Sequence, residues 1–171
     1  GEYMGLFVAA LTWPCWKESL LWQEMAARGL EREAVVQNHE DGVNKEQAVY
    51  YHHEVMDMML LCSLYGQAAG RPLSRAFTQR LERMADFVAA LMDCAGNVPM
   101  IGDADDAQMA RLAYSPDFSI YRSLLASCGT LLGRQDYLAK AGHMDAKTRR
   151  IFGPAASCER DPPTPTLAFP N

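Results

Sequence analysis

Hydrophobic positions recur with a helical period from the first residues of this chain. Residues 2–11 read as an apolar helix. Pro14 suits a first helical turn and predicts a second helix from Pro14 to Gln37, with Trp16, Leu20, Met25 and Leu30 drifting around one face and Gly29 as a candidate break. The third helix is predicted from Lys45 to about Gly66. Val49, His53, Met56 and Leu60 mark one stripe and Val55, Met59 and Cys62 a neighbouring one, a width that implies burial between two helical layers. Gly70-Arg71-Pro72 ends that unit. Ser74 is placed to cap a fourth helix, where Phe77, Leu81, Met84, Val88 and Leu91 form the cleanest amphipathic stripe in the chain.

The second half is more broken. Gly96 to Asp106 reads as a loop and Ala107 to Ala113 as a short helix. Ser115-Pro116-Asp117 opens another helix, with Phe118, Tyr121, Leu124 and Leu125 facing inward. Gly129 and Gly133 punctuate it, and a weaker helical stretch reaches Arg150. From Gly153 on, five prolines exclude helix and predict a partly polyproline-like linker. No convincing strand precedes it. The expectation is an all-α domain over residues 1–152 and a linker over 153–171. Helix–loop–helix units of about 30–50 residues recur, which fits an α/α toroid or a solenoid.

Bulk properties narrow the options. A chain of 171 residues is long enough to bury a sizeable core. Its net charge of −5 argues against nonspecific nucleic-acid binding, so no nucleic-acid partner is expected, and a polyanionic ligand would need a local basic patch. No apolar run approaches the ~20 residues of a membrane span, so no membrane partner is expected. The first residues lack the basic start and cleavage site of a signal peptide. Five cysteines without CxxC or zinc-site spacing predict buried free thiols and no metal site. No cofactor is expected.

The chemistry concentrates in residues 41–53, Asp-Gly-Val-Asn-Lys-Glu-Gln-Ala-Val-Tyr-Tyr-His-His. Asp41-Gly42 is a turn pair, and Asn44 with Gln47 fits a capping box. Glu46, Gln47, Tyr50, Tyr51, His52 and His53 then fall in the first helical turns, more titratable groups than a core helix needs. A helix whose wet end happens to be rich in Tyr and His would carry the same residues without chemistry. Asp103, Asp105 and Asp106 form an acidic loop after Gly102, which is suited to a tight turn. They can cap a following helix or bind a divalent cation, and capping is the reading preferred here.

This pattern resembles the heparinase II/III-like polysaccharide lyases. Asp41, Gly42, Glu46, Gln47, Tyr51 and His52 match their Asp-Gly-x-x-x-Glu-Gln-x-x-x-Tyr-His run, and Gly96, Pro99, Gly102, Asp103, Asp105 and Asp106 match their Gly-x-x-Pro-x-x-Gly-Asp-x-Asp-Asp loop. Leu167 to Asn171 looks like the strand entering their β-sandwich. The resemblance implies part of an incomplete (α/α) toroid, followed by a β-sandwich domain of the same chain. It implies β-elimination on an acidic, uronic-acid-containing polysaccharide, heparin/heparan-like or alginate-like, in the periplasm or outside the cell. By register Tyr51 is the catalytic acid and Tyr50 the reserve. Glu46, Gln47, His52, Asp103 and Asp105 become candidate substrate-binding residues, with His52 able to orient Tyr51 instead. For His53 a structural role is expected.

The family's Asn-His pair is expected upstream of Gly1, because Asn38-His39 lies too close to Asp41-Gly42. Its β-domain His is expected after Asn171. The 171 residues alone are therefore expected not to turn over substrate. A noncatalytic carbohydrate-binding or scaffold domain is the alternative. A magnesium-diphosphate site at Asp103, Asp105 and Asp106 is a third and weaker reading, disfavoured by the short loop after Pro99.

Overall fold

Backbone hydrogen bonding organises the chain into α1 (Glu2–Thr12), α2 (Ser19–Val36), α3 (Val49–Ala68), α4 (Arg75–Leu91), α5 (Ile120–Leu132), α6 (Gln135–Ala141) and α7 (Ala146–Phe152). This computed structural model describes residues 1–104 and 107–153. Among them there is no strand, only an isolated bridge between Asn38 and Asn44. The all-α expectation holds. The Pro-rich stretch from 154, Cys158 and the Leu167–Asn171 match lie outside the described residues.

Helix α3 is the hub and packs against α1, α4 and α5. Its two predicted stripes are real: Val49, His53, Met56 and Leu60 are buried, and so are Met59 and Cys62 beside a half-buried Val55. The α4 stripe is buried from Phe77 through Val88. Ser74 caps this helix as expected, its Oγ accepting the Phe77 N–H at 3.2 Å. Glu31 of α2 holds the cap in turn by accepting the Ser74 N–H at 2.7 Å. Helix α5 ends at Gly133, whose φ of 69° is left-handed.

Several boundaries differ from the sequence reading. Helix α2 begins at Ser19 rather than Pro14 and continues through Gly29, which lies against the Tyr3 ring where a Cβ would clash. Its buried positions are Ser19, Ala26, Gly29 and Ala34, while Trp16, Leu20 and Met25 are exposed. Small residues let α1 approach closely, and close approach outweighs side-chain size in choosing the buried face. The predicted helix over 107–113 is absent, and Ser119, not Ser115, caps α5 by accepting the Arg122 N–H. Phe118 is only half-buried. Cys62 and Cys128 are buried free thiols whose ionisation burial pushes up to about 12, but Cys15 and Cys94 are exposed.

Two polar clusters tie the later helices to this core. Arg134 donates to Glu82 at 2.6 Å, Asp86 at 3.1 Å and Asp136 at 2.6 Å, and stacks on the Tyr137 ring at 4.1 Å. Lys147 of α7 reaches Asp57 of α3 at 2.6 Å with both side chains almost wholly buried. Asp145 caps α7 and also accepts the Thr148 hydroxyl, which meets Ser127 of α5 at 3.0 Å.

Removing one member of a buried ion pair leaves an uncompensated charge, whereas replacing both with apolar groups does not. Lys147→Met is expected to cost about 3–5 kcal/mol in urea unfolding. The double change Asp57→Leu/Lys147→Met is expected to lie within about 1 kcal/mol of the parent or above it. A double variant as unstable as the single one would refute this account.

Candidate functional site

The segment before α3 is a closed loop rather than a helical turn. Asn44 does not cap α3: its Nδ2 donates to Asn38 Oδ1 at 3.2 Å, and its Oδ1 accepts the Glu46 N–H at 3.0 Å. Asn38 in turn donates to the Ala34 carbonyl at 3.1 Å, closing the end of α2. His39 N–H to Val43 O at 2.8 Å and Lys45 N–H to Gln37 O at 2.9 Å complete the loop. Gly42, at φ 93°, abuts the backbone of Arg83, where a Cβ would sit 2.2 Å from the carbonyl carbon. Arg80 donates to the His39 carbonyl. The loop is thus moulded onto α4.

Glu46 and Gln47 consequently sit in this loop, exposed, and not in the first turn of α3. Gln47 has φ 57°, the only described non-glycine residue with positive φ. A side chain in that region strains the backbone unless its surroundings enforce it. Here the Gln47 N–H is held by the Asn44 carbonyl at 3.1 Å, and the next residues are gripped by the second motif. The Val49 N–H donates to the Ile101 carbonyl at 2.9 Å. Gly102, at φ 78°, lies so close that a Cβ would come within 2.8 Å of Ala48 Cα and 3.1 Å of the Gln47 carbonyl. The two motif segments, distant in sequence, therefore touch backbone to backbone. Asp103 follows Gly102 and is exposed on the same rim. Asp105 and Asp106 lie outside the described residues, and with no helix at 107–113 the capping role expected of the acidic loop is lost.

Successive residues of α3 diverge by about 100°. Tyr51, half-buried, lies on the stripe of Val55 and Met58, which line a cleft of about 550 Å³ with Gly1, Tyr3, Arg32 and Gln37. His52 points towards α4 and is wholly engaged by backbone. Its Nδ1 accepts the Asn44 N–H at 3.3 Å, so Nε2 carries the proton and donates to the Met84 carbonyl at 3.1 Å. Its ring lies 4.9 Å from that of Phe87. Burial pushes its pKa down to about 4, against a smaller upward pull from the Met84 bond. His53 points towards α5, buried edge-on between Tyr50 at 4.3 Å and Tyr121 at 5.6 Å. Burial lowers its pKa too, with the Ala107 backbone and Asp57 pulling the other way.

The sequence reading anticipated neither the structural use of Asn38 and Asn44 nor the Asp57–Lys147 pair. The signal for Asp57 was present, a carboxylate inside the apolar run Met56 to Cys62. Lys147 carries no such signal, since a lysine in a polar helix reads as solvated. No group of three or more His, Cys, Asp or Glu suited to a metal occurs among the described residues.

His52 makes stability depend on pH with a definite sign. Its folded pKa lies below its unfolded value of 6.5, so the unfolded chain binds the proton first. Its contribution is present above pH 6.5 and is lost as pH falls towards 4, amounting to about 3 kcal/mol over that window. Urea titrations across it are expected to show a flatter dependence for His52→Gln than for the parent. Independently, Gly102→Ala is expected to cost about 2 kcal/mol or more, because it adds left-handed strain to a clash with Ala48.

No curated protein and no solved structure matches the chain. A family model described as the heparinase II/III N-terminus matches residues 1–123, a span that includes both motif segments and the helices that carry them. With most of its length inside that match, this chain belongs to the heparinase II/III family.

Proposed function

We propose that this chain is part of a polysaccharide lyase that cleaves uronic-acid-containing polysaccharide, heparin/heparan-like or alginate-like, by β-elimination. In such a reaction a base removes the C5 proton of the uronate, which becomes acidic once its carboxylate is neutralised. The electron pair forms the C4–C5 double bond, and the leaving glycosidic oxygen takes up a proton. Tyr51 is the donor in this reading, because a phenol can give that proton and carry the resulting charge.

The observation that supports it best is the backbone contact between Ala48–Val49 and Ile101–Gly102. It gathers Glu46, Gln47 and Asp103 on one exposed rim at the start of the helix that bears Tyr51. Glu46, Gln47 and Asp103 are then the sugar-contacting groups, with Asp105 as their further candidate. His52, with both nitrogens given to backbone, orients Tyr51 rather than touching substrate. The seven described helices form part of an incomplete toroid in this reading. Carboxylate neutralisation and a further acid–base group come from an upstream Asn-His pair and a β-sandwich domain of the same protein. A periplasmic or secreted location accords with an extracellular polysaccharide substrate.

The second reading is a noncatalytic carbohydrate-binding or scaffold domain. The purely structural use of Asn38, Asn44 and His52 suits a scaffold as well as an enzyme.

Incubation of the intact protein with heparan sulfate and alginate, following ultraviolet absorbance of the unsaturated product, separates the two. Tyr51→Phe is expected to reduce turnover by about 10²–10⁴-fold with binding retained, and Tyr50→Phe to do far less. Full activity in Tyr51→Phe would sink the assignment, and binding without any elimination would favour the scaffold.

A further inference from the structure

A cavity of about 420 Å³ lies between the starts of α5 and α7, with Phe118, Ser119, Arg122, His143 and Arg149 in its lining. That size falls within the ~300–1,000 Å³ of small-molecule sites. Arg122 is held in one place. Its Nη1 donates to the Ala141 carbonyl at 2.9 Å and its Nη2 to the Ala95 carbonyl at 2.5 Å. The guanidinium passes between Gly96 and Gly142, at φ 89° and 81°, where a Cβ would sit 2.0 Å from Nη2 and 3.0 Å from Nη1. Arg149 is tied through Nη2 to the Met144 carbonyl at 2.6 Å. All these anchors are carbonyls. Among the described residues neither guanidinium forms an ion pair, unlike Arg32, Arg83 and Arg134. A guanidinium carries five N–H donors, so Arg122 has used two and Arg149 one. Two carboxylates line the same cavity. Asp145 is committed to capping α7, its Oδ1 accepting the Lys147 and Thr148 N–H groups and its Oδ2 the Thr148 hydroxyl. Asp117 is exposed, where water and salt screen it.

We propose that this cavity is an accessory subsite for the polysaccharide, in which Arg122 and Arg149 take a carboxylate or sulfate of a sugar unit remote from Tyr51. This rests on the lyase reading of the Tyr51 site and extends it along the polymer. Arg122 grips the second motif loop at Ala95, and the same loop reaches the start of α3 where Val49 donates to Ile101. The chain from Ala95 to Ile101 spans at most ~20 Å, so a polymer that meets the rim comes within reach of the cavity. Two planar donor forks suit an oxyanion, which accepts in pairs. Arg122, fixed beforehand by carbonyls and glycines, loses little rotamer freedom on binding. Half-buried Phe118 offers an apolar wall to a sugar ring. In a chain of net charge −5, affinity for a polyanion has to come from such directed donors and not from the overall field.

The experiment measures binding of two oligosaccharides to the whole chain carrying Tyr51→Phe, so that neither is cleaved. One comes from alginate and bears carboxylates only; the other comes from heparan sulfate and bears sulfates as well. Calorimetry gives the affinity, and NMR follows the Arg122 Nε–H signal. Adding Arg149→Gln is expected to weaken binding about 10-fold or more, and the Arg122 signal is expected to shift as sugar saturates the chain. A response to the alginate fragment identifies a carboxylate ligand, and one to the heparan fragment alone a sulfate. An Arg122 that serves only as a strut between two carbonyls would leave its Nε–H indifferent to both sugars. That outcome, or affinity within about twofold of the parent after Arg149→Gln, overturns the proposal. Should Arg149→Gln not fold, the Arg122 signal decides alone. Elimination by the intact protein with a silent Arg122 removes the subsite and keeps the lyase. A responding Arg122 without any elimination does the reverse.

Discussion

Buried backbone groups must find partners, and in the segment between α2 and α3 that requirement shapes everything nearby. The chain leaves α2 at Val36 and does not become helical again until Val49. Over that stretch, side chains replace the missing helix. Asn38 takes the Ala34 carbonyl, Asn44 takes Asn38 and the Glu46 N–H, and His52 takes the Asn44 N–H. Because His52 also donates to Met84, the loop, α3 and α4 are fixed to one another through one imidazole. Glu46 and Gln47, proposed to meet a sugar, hang from this frame.

The helical core was legible in the sequence because its signal is periodic. The α4 stripe and the Ser74 cap appear where the pattern puts them, and the twin stripes of α3 are buried as expected. What misled was local chemistry with two uses. Asn44 and Gln47 have the spacing of a capping box, yet Asn44 is drawn into the Asn38 bridge. The Ala48–Gly102 contact then delays the helix by four residues from its predicted start at Lys45. In α2 the large apolar residues suggested the buried face. Close approach to Tyr3 favoured Ala26, Gly29 and Ala34 instead. The candidate site was legible as two motifs but not as a geometry, since no periodicity encodes a backbone contact between segments about fifty residues apart.

The helices beyond the family match are joined to α3 and α4 by polar anchors in addition to the core contacts of Tyr137, Ala141 and Met144. Arg134 gathers three carboxylates and a tyrosine ring, and Lys147 inserts a charge beside the middle of α3. Such anchors are directional. They fix the rotation of α3 as well as its position, which matters when its neighbouring stripes line a cleft, meet a neighbouring backbone and bury an aromatic pair. An apolar contact of equal strength would tolerate slippage that a 2.6 Å ion pair does not.

Gln47 has an evolutionary consequence. Its left-handed backbone is better suited to glycine or asparagine, so random substitution under selection for stability alone would drift towards those two residues. A library of this chain sorted only for folding would drift there within a few rounds. The same library sorted for its biological task would retain a long amide side chain only if that side chain touches something outside the protein.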